Sequence, residues 1–314
     1  MAYFLYGALV WLGLVASSFA EELKIIAHTT SGGHMVHARL FAKHAAKHTE
    51  SAVIVRAMPG AAGISAANYL FNAAPKDGSE IGTIDTRVFI NGVLKPDSVQ
   101  YNLTKFNWLG SATDNRKEPF ILWAKAGSSP LIAGSESSLP INHIKLVNQI
   151  LGWNVQEIVG YSDSSQVRLA FERNEINLVA FNLTGVRTTS PSWLKDPSIL
   201  PMVQYGSGLI RHPDYPFLPT VMSFAKSDQD KELLGLFEKT LVLGRAFAAP
   251  PNISENRLKS LRHLFNAVML DEEYRKEANA IGTITNPIDW HESETIVKSL
   301  AETPESVLKI LRQL

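Results

Sequence analysis

Five of the nine histidines lie between His28 and His48. At about 100° per residue, His34, His37, His44 and His48 share one face of a helix with Phe41. Neutral imidazoles spaced three and four apart can hold zinc or copper. Phe41 inside the stripe points to packing instead, and no carboxylate or thiolate is interleaved. No metal is therefore expected, and a metal-binding helix remains the alternative. His34 stands apart, at the expected helix start beside Gly33, where a ligand could reach it. Protonation there would make it a better partner for an anion.

Four short loops suggest a second kind of chemistry: TTSGG (29–33), PGAAGIS (59–65), GSESS (134–138) and GYSDSS (160–165). Each follows a strand-like run, precedes a helix-like one, and is rich in Gly, Ser or Thr. A helix N-terminus presents unpaired N–H groups and the positive end of a dipole. Hydroxyls beside it complete a receptor for carboxylate or phosphate without a fixed cation. Ser and Thr also act as plain N-caps, and for any one loop that role suffices. Four such loops on one sheet edge favour a shared cleft, with small residues letting backbone approach a ligand.

Enzyme motifs are missing. Gly60 and Gly63 do not form GxGxxG, and GxxxxGK[ST], HExxH and GxSxG do not occur. No spacing of Ser, His and Asp singles out a catalytic set, so neither catalysis nor a cofactor is expected. An enzyme on this scaffold would need a nucleophile–base pair in the cleft, such as His34 beside a serine.

The 314 residues suffice for two domains with a substantial core. With 45% hydrophobic and 19% charged residues the chain reads as globular. Thirty basic and thirty acidic residues balance, so no nucleic-acid partner is expected, and the chain is read as a monomer. The absence of cysteine excludes disulfides, thiolate metal sites and a lipoprotein anchor. Residues 1–20 read as a signal peptide: an apolar run to about Val15, then small residues at Ser18 and Ala20 suited to cleavage after Ala20. No Lys or Arg precedes the run, and its length falls short of the ~20 residues of a comfortable membrane span.

The strand-like runs LKIIAH, AVIVRA and EIGTID alternate with helical stretches, which indicates an α/β fold with a parallel sheet. FILWAKA (120–126) reads as a strand leaving this first unit. A second α/β set follows, with helices expected over 141–151 and 166–173, and the chain is helical from Lys231 with an interruption at GRAFAAPPNIS. The expected organisation is two α/β lobes: residues 21–124 with 225–314, and residues 125–224. Ligands of such sheets bind beyond the carboxyl ends of the strands.

Four collinear blocks carry a family resemblance. MPGAAGISAANYLFNAAPKDGSEIG resembles the PGAGG–helix–A-A-P-D-G block of the tripartite tricarboxylate transporter receptors (TctC-like or Bug-type solute-binding proteins). TTSGGHMVHARLFAKHAAK is similar to their PGGxxDxxAR segment, and GYSDSSQVRLAFERNEINLVAFN resembles their G-Y-x-G block. GRAFAAPPNISENRLKSLRHLFNAVMLDEEYRKEANAIG resembles their G-x-x-x-P-x-g-x-P segment. The resemblance spans about Leu23 to Lys298. It implies a type II periplasmic-binding-protein-like fold with two α/β lobes around a cleft. It further implies an exported periplasmic receptor that closes on a small organic acid and presents it to integral-membrane transporter subunits. A receptor feeding a sensor remains an alternative.

Carried over residue by residue, the resemblance implies first-lobe contacts from Thr30, Ser31, Gly32, Gly33, Ile64, Ser65, Asp85 and Thr86. On the second lobe it implies Ser135, Ser137, Ser138, Tyr161, Ser162, Ser164 and Asn182. His34 joins them from the helix start. Three departures stand out. Met35 takes the place of the family's acid, Arg56-Ala57-Met58 that of its Glu-Asn-Arg, and Asp163 that of the second glycine of GYxG. An acid at 163 facing the cleft could repel a carboxylate or pair with an amino group of the ligand.

Overall fold

The computed structural model describes residues 22–136, 142–206, 208, 210–283 and 285–313. The signal-peptide expectation, and Ser137 and Ser138, lie outside the described residues.

The first unit runs β1 (Leu23–Ala27), α1 (Gly32–Ala45), β2 (Val53–Ala57), α2 (Ile64–Asn72), β3 (Glu80–Ile84), α3 (Thr86–Leu94) and β4 (Asn107–Ser111). The second runs β5 (Phe120–Lys125), β6 (Ile132–Ser135), α4 (His143–Leu151), β7 (Gln156–Val159), α5 (Ser164–Glu172), β8 (Leu178–Asn182), α6 (Leu183–Thr189) and β9 (Ile199–Tyr205). The C-terminal part comprises α7 (Asp228–Leu241), β10 (Ala246–Ala249), α8 (Glu255–Leu270), α9 (Glu272–Ala280), β11 (Ile288–Asp289), α10 (Trp290–Ala301) and α11 (Glu305–Gln313). Among the described residues, no helix is long and apolar enough to cross a membrane.

Two sheets form. The first has the order β11-β4-β10-β3-β1-β2 and the second β7-β6-β8-β5-β9. Both are mixed rather than parallel. β1 pairs in parallel with β2 and β3, while β10 runs antiparallel between β3 and β4. β6 is parallel to β7 and β8, and β5 is antiparallel to β8 and β9. The returning C-terminal segment enters the first sheet from its opposite end, which reverses β10.

β5 corrects the expected boundary at 124/125. Its five buried or half-buried apolar residues pair along their length with β8 and β9, so it is an interior strand of the second sheet. The crossing between sheets therefore falls upstream, between Ser111 and Phe120. The start of α5 also moves earlier than expected. Asp163 caps α5 by accepting from the N–H groups of Ser165 and Gln166, so the helix begins at Ser164 rather than Gln166.

Each sheet has its own packed layers. Phe41 of α1 stacks with Phe247 and Phe265 on the first sheet, with ring centroids 4.5 and 5.9 Å apart. Trp123 of β5 packs with Phe171 and Trp193 on the second. Gly110 on β4 is required by its position: φ is +139°, and a Cβ there would fall 2.8 Å from the Ile288 carbonyl oxygen and 2.3 Å from Phe265 Cε1. Gly110→Ala is expected to cost about 1–3 kcal/mol through overpacking and backbone strain. The urea midpoint measures this, and an unshifted midpoint would show that Phe265 and β11 can yield without loss.

Candidate functional site

The strand ends bring the candidate residues together. His28 and Asp85 directly follow the last residues of β1 and β3. Antiparallel β10 begins at that same edge, because Ala246 pairs with both Ile84 and Ser111. Arg245, just before β10, is thereby delivered beside Asp85. On the second sheet β6 ends at Ser135 and β8 at Asn182, with Phe120 opposite Asn182. Between these two edges lies a cavity of about 210 Å³.

Of the expected residues, Gly32, Gly33, His34, Asp85, Thr86, Ser135, Ser164 and Asn182 line this cavity. Thr30, Ser31, Ile64, Ser65, Tyr161, Ser162 and Asp163 are not among its lining residues. Ser31 nevertheless bridges the lobes, its hydroxyl donating to Ser165 Oγ at 3.2 Å. Tyr161 lies over Gly134, where a Cβ would meet its ring at 2.8 Å, and packs against the second-lobe core. The Asp163 carboxylate is turned into its own helix cap and also accepts from the Ser165 hydroxyl. Met35, in place of the family's acid, is buried in the first-lobe core.

The PGAAG loop does not approach the cavity. A Cβ on Gly63, at φ +92°, would fall 3.2 Å from Asp85 Cβ and 3.6 Å from His28 Cβ. Its small residues let the loop back onto those two side chains and brace them from behind. Ala61 and Ala62 adopt φ of 45° and 55°, a strained left-handed conformation for alanine.

Asp85 is the hub of a buried charge cluster. Its Oδ1 accepts from the Arg87 backbone N–H at 2.8 Å, capping α3, and from Arg87 Nε at 2.6 Å. Its Oδ2 lies 3.3 Å from His28 Nε2 and 3.7 Å from His34 Nε2. Burial alone would raise its pKa, but Arg87 and His28 hold it well below the usual carboxylate range. Arg87 also reaches across the cavity to Glu136, forming an ion pair between the lobes. Burial raises the Glu136 pKa, against the pull of Arg87.

Sequence reasoning missed Arg245, which lay in the segment read as a helix interruption. It is only 6% exposed. Its Nη1 donates to His34 Nε2 at 3.0 Å and to the Gly244 carbonyl at 2.9 Å, and its Nε is buried without a partner. Among the described residues it has no ion-pair partner within 4.0 Å. Burial lowers its pKa to about 10. Burial and then Arg245 itself push His34 well below its ordinary value, so that imidazole is neutral and accepts from the guanidinium. Ser135 Oγ and His143 Nδ1 are also buried, without partners, on the cavity wall.

Helix α1 completes the arrangement. The helices α3, α4, α5 and α6 each begin at this edge with a side-chain cap, from Asp85, Asn142, Asp163 and Asn182. The Ser31 side chain makes no such bond, so the first-turn N–H groups of α1 stay open beside Arg245. A Cβ on Gly33 would fall 3.1 Å from Arg245 Nη2.

The histidine stripe divides into separate partnerships. His37 Nε2 meets the Tyr274 hydroxyl at 2.6 Å inside the core, while His44 and His48 both lean on Asp271. Among the described residues, the histidine and acid atoms that converge within 4.8 Å are those of His28, His34 and Asp85.

Comparison with known proteins places the architecture. No protein-family model and no curated protein matches the sequence. Solved structures share the fold of two α/β lobes seen in periplasmic binding proteins. MatC from Rhodopseudomonas palustris, solved with malate, matches with a TM-score of 0.68 at 17% identity, over 91% of this chain and 98% of that one. The periplasmic binding protein BugD matches at 0.69 and 14% identity, over 93% and 97%. A second R. palustris protein, solved with adipate, matches at 0.69 and 16%, over 92% and 97%. The chain thus has the fold of TctC- and Bug-type periplasmic binding proteins.

His37 supplies a pH test. Burial, then Arg245, lowers its pKa from 6.5 to about 3. Between those values the unfolded chain binds the proton and the folded chain does not. Its stabilisation is therefore complete above pH 6.5 and is lost as pH falls toward 3. His37→Leu is expected to flatten the stability slope by about 1.4 kcal/mol per pH unit in that window. Urea midpoints at pH 4, 5, 6 and 7 provide the comparison, and parallel slopes would rule out a neutral buried His37.

Proposed function

We propose that this protein is an exported, periplasmic solute-binding receptor of the TctC-like or Bug type. It captures a small organic carboxylate between its lobes and delivers it to membrane subunits of a tripartite tricarboxylate-type transporter. The observation that carries the ligand chemistry is Arg245, a buried guanidinium with an unpartnered Nε and no ion pair among the described residues, lining the inter-lobe cavity. A buried charge left in this state is costly, and a carboxylate is the group that would satisfy it. The open first turn of α1 adds N–H donors on the same side.

Two further features support the reading. Lining groups come from both sheets, so a ligand bound there favours the closed arrangement over an open one. The His34 lone pair is engaged by Arg245 rather than by a cleft hydroxyl, which favours binding over acid–base chemistry. The malate and adipate held by structures of the same fold are acids of the expected kind.

A carboxylate at 100 times its dissociation constant should add about 2.7 kcal/mol to stability. Loss of a charge-assisted hydrogen bond, as in Arg245→Gln, should weaken that binding about 10- to 100-fold. Thermal unfolding and calorimetric titration of both proteins against a panel of mono-, di- and tricarboxylates read the effect. Undiminished carboxylate affinity in Arg245→Gln would remove the ligand role from this site.

A further inference from the structure

We infer that the ligand is a monocarboxylate with an apolar body of about one ring or six carbons, rather than a di- or tricarboxylate. This rests on the receptor reading above and concerns the cavity beyond Arg245.

The cationic side of the cavity has room for one acid. Arg87 is already bracketed by Asp85 and, across the lobes, by Glu136. Arg168, also on the wall, pairs with Glu172 at 3.1 Å. Arg245 alone among these three guanidiniums has no carboxylate. A second ligand carboxylate would find no unpaired guanidinium among these three.

It would also meet opposing charge. Glu136 and Glu157 both line the cavity from the second lobe. Glu157 accepts from Asn142 Nδ2 at 2.7 Å, which holds its side chain in place. Part of the remaining wall is apolar: Ile90 and Leu241 from the first-lobe side, Phe120, Ile144 and Phe181 from the second. Phe120 is further set by His143, whose ring lies 4.6 Å away at 32°. These side chains offer nothing to a charged terminus, and desolvating one against them is unfavourable.

The volume fits a body of that size. A cavity of about 150 Å³ with apolar walls accommodates a benzene ring. The roughly 210 Å³ here leaves space for such a body and one carboxylate.

Matched acids test this without altering the protein. Hexanoate and adipate share six carbons and differ in one terminus, as do benzoate and terephthalate at the ring. Calorimetric titration at pH 7.5 is expected to show affinity rising about fourfold per methylene from propionate to hexanoate. Hexanoate should bind at least about 30-fold more tightly than adipate, and benzoate likewise more tightly than terephthalate. In Glu136→Gln the adipate deficit relative to hexanoate, both measured on that variant, should shrink about tenfold. Adipate or terephthalate binding as well as its monoacid would overturn the inference and leave the carboxylate receptor standing. Failure of every acid would overturn both. A deficit unchanged in Glu136→Gln would overturn the discriminating role of that residue.

Discussion

Burying the guanidinium of Arg245 at the junction of three strands constrains everything around it. A charge so enclosed needs compensation, and the chain supplies only part: a neutral imidazole, one carbonyl and the field of Asp85. Partial compensation is consistent with a pKa lowered but still far above neutrality. The charge persists, and so does its demand for an anion. Position follows from topology. Because β10 inserts antiparallel between β3 and β4, its first residue sits where the other strands end, and the residue before it projects to the edge where ligands of α/β sheets are held.

The same edge explains how two lobes can respond to one small molecule. Arg87 meets Glu136 and Ser31 meets Ser165 across the cavity, so each lobe already contributes a group to the other. The crossing segment is tied at its base. Asn115 Nδ2 donates to the Leu241 carbonyl at 2.8 Å, and the Glu238 carboxylate accepts from the N–H groups of Gly206 and Gly208 at 3.0 and 3.1 Å. Burial raises the Glu238 pKa, while those two N–H groups counter it. These bonds tie both crossing segments to helix α7.

Much of this was legible before any coordinates. The alternation of strand-like and helix-like runs identified two α/β units, because hydrophobic period and turn residues are local properties. The loops at 29–33 and 134–138 are identified on the same grounds, and Gly32, Gly33, Gly134, Ser135 and Glu136 of them line the cavity. The errors have a common cause: direction and partner are not local. FILWAKA reads as a strand but cannot reveal which sheet it joins. Asp163 reads as a cleft acid until its carboxylate is seen accepting from its own helix. Arg245 carried one weak signal, a lone Arg beside glycine at the head of the apolar run AFAA, and only the sheet register turns that into a site.

The His28–His34–Asp85 group shows why geometry alone does not assign chemistry. Two imidazoles and a carboxylate within 4.8 Å have the right atoms for a divalent cation. The surrounding charges are wrong for one. His34 already accepts from Arg245 through Nε2, and both Asp85 oxygens accept from Arg87, at 2.6 and 3.0 Å. A dication would have to displace two guanidiniums from their acceptors and then sit beside them in a buried setting, where like charges are poorly screened. The same guanidiniums make the neighbouring space favourable to an anion. Within this fold the sign of the ligand is set less by the groups that could coordinate it than by the charges that hold those groups.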